Sequence, residues 1–72
     1  MLTGKRFKLS NSIVATETFG GQRLAITLPE HTVIKVISGP ARGDRFVRVL
    51  FENRLMTVFA TDLKERGKEI VD

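Results

Sequence analysis

Arg42, Arg45 and Arg48 recur at every third residue from a turn into the segment that follows it, with Lys35 shortly before and Arg54 shortly after. A guanidinium carries a permanent charge and several donors in fixed directions, so this set suits contact with the phosphate oxygens of RNA or DNA. The turn itself, Ser38-Gly39-Pro40-Ala41-Arg42-Gly43-Asp44, has a second explanation. Its glycines and proline reverse the chain, and its arginines then stay solvated or pair with Asp44 or Glu52.

Apolar residues are interleaved with these charges. Phe46, Leu50, Leu55 and Phe59 fall at positions that bring Phe46 against Phe59 and Leu50 against Leu55 if residues 45–60 form a hairpin turning at Glu52-Asn53. Two rings beside cations could stack on bases, as in single-strand binders. The four side chains equally suit a core or a contact with another protein chain, a second copy included. The chain has five Phe and no Trp or Tyr, which argues against a polyproline-binding groove.

Groups for catalysis do not converge. Asp44, Glu52, Asp62 and Glu65 are separated by turns and matched by arginines, so no carboxylate pair stands out. His31, the one histidine, lies in a Pro29-Glu30-His31 turn, away from any serine it could activate. Residues 39–43 lack the Lys-Ser/Thr ending of a phosphate loop. With no cysteine, neither a disulfide nor a cysteine-based zinc site can form within the chain. No enzyme, cofactor, metal or small-molecule substrate is expected.

What must position these residues is a single small core. A chain of 72 residues, 42% hydrophobic, buries only roughly 60% of its unfolded surface and has room for one domain. The excess of 12 Lys and Arg over 8 Asp and Glu, a formal +4, attracts polyanions at long range and also serves solubility. No apolar stretch is long enough for a signal peptide or a membrane span, and the lack of cysteine suits a reducing compartment, so a cytoplasmic protein without a membrane partner is expected.

Gly and Pro cut the chain into five β-rich pieces: Ser12–Phe19, Gln22–Leu28, Thr32–Ile37, Arg45–Phe51 and Arg54–Ala60. Gly20-Gly21 predicts a tight hairpin with Glu17 facing Leu24, Ala15 facing Ile26 and Ile13 facing Leu28. Thr16, Thr18, Arg23 and Thr27 then share the more exposed face. A turn centred on Glu52-Asn53 opposes Val49 to Met56 and Val47 to Val58, one wholly apolar face, and puts Arg48 and Thr57 on the other. Thr32–Ile37 has apolar residues on both faces, Ile34 and Val36 against Val33 and Ile37, which predicts a closed or doubly covered sheet. From Thr61 to Gly67 the sequence predicts one short helical turn, with Thr61 as a candidate cap, Leu63 tucked inward and Gly67 as terminator. Residues 1–11 are expected to be a basic N-terminal arm or an edge strand with Phe7 and Leu9 packed down, residues 12–66 the barrel, and residues 67–72 a tail in which Ile70 and Val71 could pair along an edge.

Five consecutive short strands followed by a helical turn resemble a small SH3-like β-barrel, an all-β meander that closes on itself. Within that class, VIKVISGPARGDRFVRVLF is similar to the KOW motif of ribosomal and transcription-elongation proteins: alternating Val and Ile, then Gly39-Pro40, Gly43 and another strand. Where KOW sequences place a further glycine, this chain has Asp44, Arg45 and Phe46. The resemblance covers about a third of the chain and implies a nucleic-acid role. Type II dihydrofolate reductases share the fold class, but Met56-Thr57-Val58-Phe59 lacks the glutamine and tyrosine of their Val-Gln-Ile-Tyr strand. The expected partners are therefore RNA or DNA, through Lys35, Arg42, Arg45, Arg48 and Arg54, or a protein chain, through Phe46, Leu50, Leu55 and Phe59.

Overall fold

A computed structural model describes residues 2–71; Met1 and Asp72, the extremes of the expected arm and tail, lie outside the described residues. The chain forms strands β1 (Arg6–Leu9), β2 (Ile13–Phe19), β3 (Gln22–Leu28), β4 (Val33–Ser38), β5 (Phe46–Phe51) and β6 (Arg54–Phe59), helix α1 (Ala60–Arg66) and strand β7 (Gly67–Ile70). All seven strands belong to one antiparallel sheet in the order β3-β2-β6-β5-β4-β1-β7.

The five expected strands are present as β2 to β6. Both hairpin registers are as the turn chemistry requires: Glu17 opposes Leu24 and Ile13 opposes Leu28, while Val49 opposes Met56 and Val47 opposes Val58. Gly20 and Gly21 both take positive φ, the backbone twist that a two-residue hairpin turn needs. Glu52 and Asn53 reach the same twist without glycine. The strands do not form a five-stranded meander in chain order. Residues 6–9 and 67–70 add two strands, and β1 is an interior strand, flanked by β4 and β7.

The short connections bend this sheet. Leu9 and Ile13 are four residues apart, so at most about 14 Å of chain joins β1 to β2. In a flat sheet the two would stand four strand spacings apart, about 19 Å. Leu28 and Val33 face the same shortfall, since five residues span at most about 18 Å between strands that are also four spacings apart. The sheet must therefore curl over its own inward face. Hydrogen bonds prolong the pairing of β1 with β4 and β7 into the connections: the Leu9 N–H donates to the Thr32 carbonyl at 2.8 Å, the His31 N–H to the Leu9 carbonyl at 2.8 Å, and the Ser10 N–H to the Arg66 carbonyl at 2.6 Å.

Inside the curl lies one apolar cluster drawn from every strand except β7, including Leu9, Ile13, Leu28, Ile34, Val36, Val47, Val49, Met56 and Val58. Helix α1 closes one end with Ala60 and Leu63. Burying a side chain such as Leu63 contributes about 1.5–3 kcal/mol. The helix starts one residue before the expected cap: Phe59 occupies the N-cap position and no side chain caps it. Strand β4 is covered on one face only. Ile34 and Val36 are buried, but Val33 and Ile37 are exposed, because the curl gathers the core to one side and leaves the outer face bare.

Candidate functional site

The outer face is built by the alternation of each strand. Side chains directly opposite one another share a face, so the ladders give its rows. Thr16, Thr57, Arg48 and Ser38 stand in line on β2, β6, β5 and β4. Leu55, Leu50, Lys35, Arg6 and Ile70 form the next row, and Val33, Lys8 and Lys68 the one beyond. On the other side of Arg48 and Thr57, the Phe46 and Phe59 rings stack 4.9 Å apart at a 35° tilt. Arg23 stands on β3 opposite Thr18.

Charge is sorted between the two faces. Outward strand positions hold Arg6, Lys8, Arg23, Lys35, Arg48 and Lys68, and no carboxylate. The carboxylates of the described residues lie instead in turns (Glu30, Asp44, Glu52), on the helix (Asp62, Glu65) or at inward strand positions (Glu17, Glu69). Lys8 and Lys68 are directly opposed. Like charges in that relation destabilise a strand pair.

Of the residues expected to meet phosphate, Lys35 and Arg48 share the outer face on adjacent strands. Arg42 is exposed in the turn between β4 and β5. That turn is held by the Asp44 N–H donating to the Ala41 carbonyl at 2.8 Å and the Phe46 N–H donating to Asp44 Oδ1 at 3.0 Å. Arg45 borders a different recess, of about 540 Å³, together with Pro40, Phe59, Thr61 and Lys64. Arg54 is not part of the set. It sits at an inward position opposite Phe51, and its guanidinium grips Glu17 with both Nε, 2.8 Å from Oε2, and Nη2, on Oε1. The hydrogen bond from Arg54 holds the Glu17 carboxyl below its ordinary range against a smaller opposing effect of burial, and the same bond holds Arg54 more firmly protonated.

The four expected interface residues all reach the outer face. Phe46 is 46% exposed, Leu55 50% and Phe59 48%, while Leu50 is half-buried. Two shallow clefts meet at Phe46, Arg48 and Thr57. One, of about 310 Å³, opens toward Ser38, Gly39, Ala41 and Asp44. The other, of about 230 Å³, opens toward Thr16, Thr18 and Arg23. Cations, rings and hydroxyls thus lie within one surface rather than on two competing faces.

Sequence reasoning missed Arg23 and Lys68 as members of this surface, and reached Lys8 only as part of a basic N-terminal arm or edge strand. The first hairpin's register already put Arg23 with Thr16 and Thr18. What joins that hairpin to Arg48 is the pairing of Thr16 with Thr57 across 41 residues of chain, which no local pattern signals. His31 is exposed in its turn, its Nε2 3.6 Å from Glu30 Oε1. Among the described residues no three His, Cys, Asp or Glu side chains stand close enough to hold a metal ion, and no helix is long and apolar enough to cross a membrane. No family model matches the chain, nor does any curated protein or solved structure.

Proposed function

We propose that the chain is a non-catalytic binding module that takes single-stranded RNA or DNA across the outer face of its sheet. Lys8, Lys35, Arg48 and Lys68 receive the phosphates, Arg42 extends the path at the adjoining turn, and Phe46 with Phe59 offers rings to a base. The contacts are to backbone and base faces, so they carry little sequence readout. The curled sheet with its short connections supports an SH3-like barrel enlarged by two strands as the scaffold.

One observation carries this reading: among the described residues every carboxylate is kept off the outward strand positions while cations occupy them on five of the seven strands. The opposition of Lys8 and Lys68 adds to it, since a polyanion relieves a repulsion that the free protein bears. The test is titration of labelled oligo-U and oligo-dT, followed by fluorescence anisotropy at low ionic strength. Four or five phosphate contacts give a slope of log Kobs against log[salt] of about −3 to −3.5, and Arg48→Ala reduces its magnitude by about 0.7. Absence of association at low salt overturns the proposal.

The exposure of Phe46, Leu55 and Phe59 favours a second reading, a protein docked on the apolar part of the same face. Such a complex resists moderate salt and is lost on replacing Leu50 and Leu55 by lysine. Binding that collapses with salt and survives that double substitution belongs to the nucleic-acid reading.

A further inference from the structure

The sheet has two edges, and they differ in how they are guarded. Strand β7 is four residues long and carries Lys68 and Glu69, the sort of short, charged edge that resists added strands. Strand β3 is seven residues long, QRLAITL, with no proline and a single charge. It pairs with β2 on one side, and no strand lies on the other among the described residues.

The hairpin turn determines which backbone groups of β3 are spare. In a two-residue turn the flanking residues, here Phe19 and Gln22, exchange hydrogen bonds, and every second pair after them does so too. Gln22, Leu24, Ile26 and Leu28 therefore spend their N–H and C=O groups on β2. Those of Arg23, Ala25 and Thr27 point to the open edge. Leu24 is 44% exposed on the inward side at that edge.

We propose that two copies of the chain join β3 to β3, antiparallel and centred on Ala25, into one continuous sheet. The strand is complementary to its own reverse about that residue. Centring on Ala25 pairs all seven residues with all seven of the second copy, and any other centre shortens the ladder. It sets Leu24 against Ile26 of the second copy, apolar on apolar, and Arg23 against Thr27 of the second copy, so the two arginines do not meet. The outer faces, each with Arg23, Lys35 and Arg48, then run on from one copy to the next.

The test is sedimentation of the protein over a concentration series, without nucleic acid, so its failure leaves the binding reading untouched. Ala25→Pro removes an N–H that β2 does not use, and proline is tolerated on an edge where that group faces out. The parent chain dimerises, and Ala25→Pro weakens association at least tenfold with an unchanged circular dichroism spectrum. The chain has no cysteine, so Ala25→Cys gives a second readout that does not depend on the proline variant folding. Opposed residues in such a pair lie about 5.5 Å apart at Cα, within disulfide reach. Mild oxidation links Ala25→Cys copies much faster than Arg23→Cys copies, whose sulfurs are held apart by the register. A parent chain that stays monomeric at millimolar concentration overturns the proposal. So does a dimer that Leu50→Lys/Leu55→Lys dissolves and Ala25→Pro does not, or equal crosslinking of the two cysteine variants.

Discussion

Glu17 shows how one partner redefines a residue. On the sequence pattern it is a lone charge on the mostly apolar side of the first hairpin, facing Leu24, and Arg54 is a free cation of the basic set. In the folded chain the two satisfy each other at the rim of the core, so the charge of Arg54 is already offset by a carboxylate. The pair has a pH signature. The folded carboxyl titrates below the unfolded one, so its stabilisation is complete above the ordinary glutamate value of about 4.3. It is lost as pH falls through the lowered folded value. Thermal melts of the parent and Glu17→Gln are expected to diverge most at neutral pH and to converge in acid; a constant gap between them counts against the ion pair.

At the scale of elements, the local pieces were legible and their ends less so. Both hairpin registers follow from two-residue turns, because a turn of fixed length leaves the pleat no freedom. Helix α1 and its closing glycine were also visible, but for another physical reason than the one expected. Gly67 is not in the left-handed conformation of a helix terminator; its φ is −110°. It is glycine because the chain turns straight into β7 against the helix: a Cβ there would lie 2.6 Å from the Leu63 carbonyl oxygen and 3.4 Å from the Phe7 ring. A close approach between distant elements leaves no trace in a composition rule. Gly67→Ala is therefore expected to cost about 2–3 kcal/mol, in the range of overpacked sites, measured by urea unfolding. An effect within a few tenths of a kcal/mol would show that the helix end can shift at no cost.

For the molecule as a whole, what the sequence withheld is the order of strands. The five central strands can be read from period and punctuation, but the pairing of β1 with β4 and β7, and of β2 with β6, joins residues far apart in the chain. Those same pairings assemble the basic surface, which is why Lys68 and Arg23 joined the candidate site only once the sheet was known. The surface also sets stability against binding. Lys68→Glu replaces the repulsion with Lys8 by an attraction and is expected to stabilise the fold by about 0.5 kcal/mol, within the cross-strand range, while weakening oligonucleotide binding severalfold. Denaturation and anisotropy on the same sample check both signs, and a variant that gains in both removes Lys68 from the phosphate path. The interior place of β1 has one more consequence, for the chain as it leaves the ribosome. The two hairpins close from neighbouring residues, whereas β1 gains β7 as a neighbour only once residues 67–70 have emerged, and that pairing closes the longest loop in the sheet.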